Sequence, residues 1–131
     1  MQTFTLQQIK DAHAKVKSGA DFPAYIRDIK HMGVARYTTY VSDGHTDYSG
    51  ADGHEITSPV KYDALAVAGT SNAAEFQRIL KEHQQGGSDY PTFCKQSADN
   101  GVEKWIVDMD KMTCAYYDKA GEEMLVEQIP Q

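Results

Sequence analysis

The chain matches itself at one fixed spacing. Gly19-Ala20-Asp21-Phe22-Pro23 lies over Gly87-Ser88-Asp89-Tyr90-Pro91, 68 residues later, and this offset holds without a gap to Ile56 and Met124. Eight pairs are identical: Gly19/Gly87, Asp21/Asp89, Pro23/Pro91, Gly33/Gly101, Val34/Val102, Tyr48/Tyr116, Gly53/Gly121 and Glu55/Glu123. Phe22/Tyr90, Tyr25/Phe93, Arg27/Lys95, Arg36/Lys104 and Tyr37/Trp105 keep their chemistry. The matches fall on caps, turns and aromatics, where backbone geometry restricts the residue. They predict two copies of one unit, about 1–68 and 69–131, within a single domain of 131 residues.

Each unit opens with a helix. Thr5 and Gln8 fit a capping box ahead of Leu6, Ile9, His13 and Val16; Asn72 and Glu75 make a looser box ahead of Phe76, Ile79, Leu80 and His83. A second helix follows, capped by Asp21 or Asp89. Pro23 or Pro91 stands in its first turn and Gly33 or Gly101 closes it. Then the period changes to two. Val34 to Val41 and Val102 to Met109 predict strands, followed by turns at Asp43-Gly44 and Asp110-Lys111. Strands at about 45–49 and 112–117 come next. Further turns, at Asp52-Gly53 and Ala120-Gly121, lead to a third strand, short in the first copy and running from Glu123 to Ile129 in the second. Ala64 to Ala68 reads as one more short strand. The predicted class is α+β: a helix-helix-β-β-β unit used twice, with an antiparallel sheet and helices on one face.

Alternation orients the strands. Met112, Cys114 and Tyr116 form the more apolar face and predict the core, which by the offset turns Thr46 and Tyr48 inward and His45 and Asp47 outward. Tyr37, Thr39, Val41, Trp105, Val107 and Met109 join the core. Arg36, Thr38, Tyr40 and His45, with Lys104, Ile106, Thr113 and Tyr117, are left on the opposite face. Aromatic and cationic side chains on a polar background are what partner-binding patches present.

The strings ADFPAYIRDIKHMGVARYTTYVSDGHTDYSG, HQQGGSDYPTFC and VEKWIVDMDKMTCAYYDKAGEEMLVEQIP resemble the YdfO-like family. These are small bacterial and prophage-borne proteins classed as a domain of unknown function, some of them labelled phage envelope protein. The resemblance implies a compact α+β domain. It implies no reaction and no catalytic residue.

Charge and composition exclude several classes. Thirteen Lys and Arg against nineteen Asp and Glu leave a net charge of −6 with His neutral. This argues against nucleic-acid binding, where cations must neutralise phosphates. No apolar run approaches the roughly 20 residues of a membrane-spanning helix, and no signal-peptide pattern opens the sequence. A cytoplasmic location with reduced thiols is expected, since Cys94 and Cys114 lack CxxC spacing.

Two groups of side chains have chemical potential. Asp43, His45 and Asp47, with His54 beyond the next turn, are residue types that hold divalent metals, although their spacing fits no established motif. Cys94 lies in the first turns of a predicted helix beside Lys95, a setting that lowers a thiol pKa; its repeat equivalent, Ile26, argues instead for a buried thiol. His13 and His83 sit at matching helix edges and read as packing residues. The leading expectation is a non-catalytic interaction or accessory protein with no cofactor. Its contact face would carry Arg36, Tyr40, Lys104, Ile106 and Tyr117, and its partner would be a second copy or another protein. The rival expectation is an enzyme acting on a small molecule, either metal-assisted through His45, Asp47 and His54 or thiol-dependent through Cys94. The family label adds a third, a phage-associated structural protein.

Overall fold

The computed structural model describes residues 4–16, 21–50, 53–60 and 62–129. Gly19, Ala20 and Asp52, which contribute to the repeat and its turns, lie outside the described residues. Helices α1 (Leu6–His13) and α2 (Phe22–His31) precede strands β1 (Val34–Tyr40), β2 (Thr46–Gly50) and β3 (Glu55–Thr57). The same order returns as α3 (Ala73–Gln84), α4 (Tyr90–Asp99), β4 (Val102–Asp108), β5 (Thr113–Asp118) and β6 (Glu123–Gln128). All strand pairs are antiparallel in one six-stranded sheet ordered β3-β2-β1-β4-β5-β6. This is the α+β class, and the two sets of strands share one sheet.

The register follows the 68-residue offset closely. Tyr37 faces Tyr48 as Trp105 faces Tyr116, and Thr39 faces Thr46 as Val107 faces Cys114. Both hairpins carry a ladder irregularity at the same place, between Val34 and Arg36 and between Val102 and Lys104. Where β1 meets β4, Thr38 pairs with Ile106, its own counterpart at the offset. The outer pairs depart by one residue: Thr57 faces Asp47, but Val126 rather than Leu125 faces Ala115. A bulge between Tyr116 and Tyr117 causes that slip.

Local chemistry explains most helix ends. Thr5 accepts from the Gln8 N–H at 3.2 Å while the Gln8 side chain accepts from the Thr5 N–H at 2.9 Å, a reciprocal capping box. Asn72 accepts from the Glu75 N–H at 3.1 Å, and Asp89 accepts from the Thr92 N–H at 2.8 Å. Asp21 does not repeat this. Its backbone is already helical, at φ −87° and ψ −8°, and its side chain makes no cap hydrogen bond. A capping carboxylate needs an extended backbone, such as Asp89 has at ψ 170°, to reach back to the first free N–H groups. The predicted strand at Ala64 to Ala68 also fails to form. Its N–H groups are taken by irregular partners: Leu65 donates to Ser42 at 2.6 Å and Ala68 to Ala98 at 2.9 Å.

The inward faces of the strands meet the helices in an aromatic core. Phe76 of α3 lies on Tyr116 at 4.9 Å between ring centroids, and Phe93 of α4 lies on Trp105 at 5.8 Å. Tyr37, Thr39, Val41, Thr46, Tyr48, Trp105, Val107, Met109, Met112, Cys114 and Tyr116 are all buried, as alternation requires. Each fully buried aromatic or aliphatic side chain contributes about 1.5–3 kcal/mol of transfer free energy.

Gly101 joins the second unit together. It closes α4 at φ +87°, and a Cβ there would stand 2.7 Å from the Ser71 Cα and 2.8 Å from the Thr70 carbonyl oxygen. Gly121, at φ +83°, has nothing within 4 Å of that position. Gly121→Ala is therefore expected to cost about 1–2 kcal/mol, the left-handed penalty alone. Gly101→Ala should cost a further 1–3 kcal/mol, roughly, through overpacking against backbone. Urea denaturation of the two variants checks this; equal losses would mean that the Ser71 contact yields freely.

Candidate functional site

With the helices packed against one face, the opposite face carries three rows of outward side chains. The first runs Tyr40, Lys104, Tyr117, Glu123. The middle row runs Thr57, Asp47, Thr38, Ile106, Ala115, Val126. The third runs Glu55, Ser49, Arg36, Asp108, Thr113, Gln128. Arg36 is exposed, and Thr38, Tyr40, Lys104, Ile106 and Tyr117 are half-buried. The neighbouring inward residues Tyr37, Thr39, Trp105 and Val107 are 8% exposed or less. The five residues expected to form a contact surface thus lie on one face of the two central strands and β5.

Tyr40 is held from both directions. The His45 ring stacks on it at 4.4 Å and 11°, and the Lys104 Nζ stands 6.0 Å from its ring centroid. His45 is itself fixed by Asp43. The Asp43 carboxylate accepts from the His45 backbone N–H at 3.0 Å and meets the ring Nδ1 at 2.5 Å. The backbone bond first, and the ring second, hold the Asp43 carboxyl below the usual carboxylate range. Gly44, at φ +76°, turns the chain tightly enough for this clamp to close.

The residues considered for a metal do not come together. His45 is occupied by Asp43, and Asp47 accepts from the Thr57 hydroxyl at 2.8 Å. His54 packs edge-on against Phe4 at 4.7 Å, with its Nε2 2.9 Å from the Phe4 carbonyl. Asp43 and His45 lie in the turn rather than in β2, so strand alternation does not align them with Asp47. Among the described residues, no three His, Cys, Asp or Glu side chains are grouped to hold an ion. His83 stacks on Phe93 at 4.4 Å, and His13 lies edge-on to Tyr25 at 5.3 Å.

Both thiols are interior. Cys94 is 1% exposed on the helix face that its counterpart Ile26 also buries, and it shares a hydrogen bond with the Tyr62 hydroxyl. Tyr62 donates in turn to the Val41 carbonyl at 2.5 Å. Cys114 is 6% exposed, and burial pushes its thiol up to about 12.

A shallow depression on the open face lies over β4, β5 and β6, with Ile106, Ala115, Tyr117 and Val126 among its lining and Asp108, Lys111 and Glu123 as its charged groups. Sequence patterning placed Lys104, Ile106, Thr113 and Tyr117 on this half of the face and named no residue of β6. The offset points to Leu125 as the outward residue of β6, and the bulge at Tyr116/Tyr117 hands that place to Val126. The Asp43 clamp had a signal in the Asp-Gly-His turn, where an Asp side chain readily takes the N–H two residues on.

Two outcomes test these assignments. Asp43 has a depressed carboxyl, so its contribution is present above its unfolded pKa of about 3.9 and is lost as pH falls through the lower folded value. Asp43→Asn should therefore be less stable than wild type at pH 7, with the gap closing as pH falls below about 4. A constant gap in pH-dependent denaturation would contradict the clamp. Native protein should also label at Cys94 and Cys114 only as fast as it unfolds, measured with a thiol-reactive dye. Rapid labelling of Cys94 in the folded state would restore it as a nucleophile.

The comparisons with known proteins give one family and no activity. The uncharacterised protein YcgX of Escherichia coli (strain K12) is 23% identical over 103 residues, covering 79% of this chain and 77% of its own length. Residues 10–128 match the family described as "Protein of unknown function (DUF1398)". The chain belongs to that family.

Proposed function

We propose that this protein is a non-catalytic interaction module that engages a protein partner through the open face of its sheet, with Arg36, Tyr40, Lys104, Ile106 and Tyr117 in the contact. The observation that carries this reading is the state of Tyr40. It is an aromatic side chain on an outward face, already in contact with the His45 ring and within 6.0 Å of the Lys104 Nζ. A pre-ordered aromatic anchor loses little side-chain entropy on binding, and aromatic and cationic groups dominate the energetics of protein contacts. A mechanism through Cys94 would need a thiol that reaches solvent, and one through His45, Asp47 and His54 would need three side chains that converge. The burial and hydrogen bonds of these residues favour the interaction reading over both.

The finer placement of the chain belongs to the same proposal. We read it as a YdfO-like, prophage-related, cytoplasmic member of its family, on the sequence strings that carry that resemblance. We also read it as one domain that arose by internal duplication; the matching registers and paired ladder irregularities support this.

The test is capture from the host cell with tagged protein, using the Tyr40→Asp plus Tyr117→Asp double variant as the control and light scattering for the mass of each eluate. Wild type is expected to elute with a defined protein or as a dimer. The double variant, folded by circular dichroism, should elute alone. Retention of the same partner by the double variant, or a wild type that elutes alone as a monomer, overturns the reading.

A further inference from the structure

We propose that the β4–β6 part of the open face is occupied by a second copy of this chain, docked sheet to sheet about a two-fold axis that runs along β5, so that Lys104, Ile106 and Tyr117 lie inside the contact and Arg36 and Tyr40 of β1 flank it. The inference rests on the reading of this face as a contact surface and commits it to one partner.

The argument comes from the cross-strand register. Lys104, Tyr117 and Glu123 form one row over β4, β5 and β6; Ile106, Ala115 and Val126 form the next. Asp108, Thr113 and Gln128 form the third. A two-fold rotation about β5 exchanges β4 with β6 and lays each row on itself. Lys104 then meets Glu123 of the second copy, and Ile106 meets Val126 of the second copy. Ala115, Tyr117 and Thr113 each meet their own equivalents. Asp108 meets the Gln128 amide, a donor for its carboxylate. Every position finds a chemically suitable mate, with cation on anion at one end and aliphatic on aliphatic in the middle. Self-complementarity of this kind is what a two-fold interface requires.

The exposed apolar surface points the same way. Val126 is 42% exposed, and only Val60, outside the sheet, ranks with it among the exposed large hydrophobic residues described. In a face-to-face packing Val126 is covered by Ile106 of the second copy. A rotation about the boundary between β1 and β4 covers more of the sheet but fits worse. It sets Ala115 against Asp47, and it would bury a carboxylate that has the Thr57 hydroxyl as its side-chain partner. Growth of the sheet through the β6 edge is opposed by Glu123 and Glu127 on that strand and by the bulge in its ladder.

Three strands spaced about 4.8 Å apart make a narrow contact. It falls in the small interface class, under roughly 1,200 Å² in total, so association should depend on concentration and, through the Lys104–Glu123 pairs, on salt.

Sedimentation velocity of the full chain, from micromolar to millimolar concentration at low salt, tests this. Wild type is expected to show a monomer–dimer equilibrium. Each dimer contains two Lys104–Glu123 pairs, so Lys104→Glu and Glu123→Lys should each weaken association about tenfold or more by like-charge opposition. The double variant should return it to near the wild-type constant. Val126→Arg should weaken it without rescue by either change. All three substitutions are at outward positions, and circular dichroism confirms that the variants fold. A protein that stays monomeric at millimolar concentration overturns the second copy as partner. If capture of another protein is still lost in the Tyr40→Asp/Tyr117→Asp variant, the contact-face reading survives that result; if nothing is captured, both fail. A dimer in which the charge reversals have no effect, or in which the double variant is not rescued, overturns the two-fold along β5.

Discussion

The ladder between β1 and β4 is the contact on which the rest of the molecule depends. Without it the chain would be two sets of two helices and three strands, each about half the length of an already short chain. Units of that size bury too little of their surface to be more than marginally stable. Pairing Arg36 through Tyr40 with Asp108 through Lys104 places both central strands in the interior of a six-stranded sheet. It also fixes where every other strand lies, because β2 and β5 are attached by short hairpins and β3 and β6 follow them outward. The self-matching pair Thr38–Ile106 sits at the middle of that ladder.

Against this shared backbone the two halves have different interiors. In the first, the Tyr25 and Tyr48 hydroxyls are hydrogen-bonded to each other, Tyr48 reaches Thr46, and Thr46 lies 3.1 Å from the Thr39 hydroxyl. In the second, Phe93 replaces Tyr25, Cys114 replaces Thr46 and Val107 replaces Thr39, and the Tyr116 hydroxyl bonds the Cys114 thiol. One half therefore holds a chain of buried hydroxyls and the other a drier aromatic stack of Phe76, Phe93, Trp105 and Tyr116. Burial raises the phenol pKa of Tyr25, Tyr48 and Tyr116, so all three stay neutral donors near neutral pH.

The outward faces diverge in the same sense. Positions that carry Thr38 and Asp47 in the first half carry Ile106 and Ala115 in the second. One side of the open face is thus polar and tied to itself, as in the Asp47–Thr57 bond, and the other is an aliphatic row with charged ends. Tyr40 and Lys104 stand at the border between them. The face has a direction, and a partner that meets it encounters two different surfaces on one continuous sheet.

Local patterns were enough to determine much of this. The offset of 68 residues, the Thr5–Gln8 box, the Asp89 cap, the Asp43-Gly44 turn and the period-two alternation specify the element order and which side chains face inward. Each of these is a contact within a few residues or a strict periodicity, so it is legible in one dimension. Tertiary structure decided what depends on distant neighbours. Asp21 lost its cap to a backbone already in helix, and Ala64 to Ala68 lost its strand to partners in a turn and a helix end. The candidate metal residues were dispersed because His54 found the Phe4 carbonyl, 50 residues away. A single bulge decided which aliphatic side chain stands at the β6 edge of the open face, Val126 in place of Leu125. In a strand, a one-residue slip reverses every side chain beyond it, and only the pairing itself reveals where that slip falls.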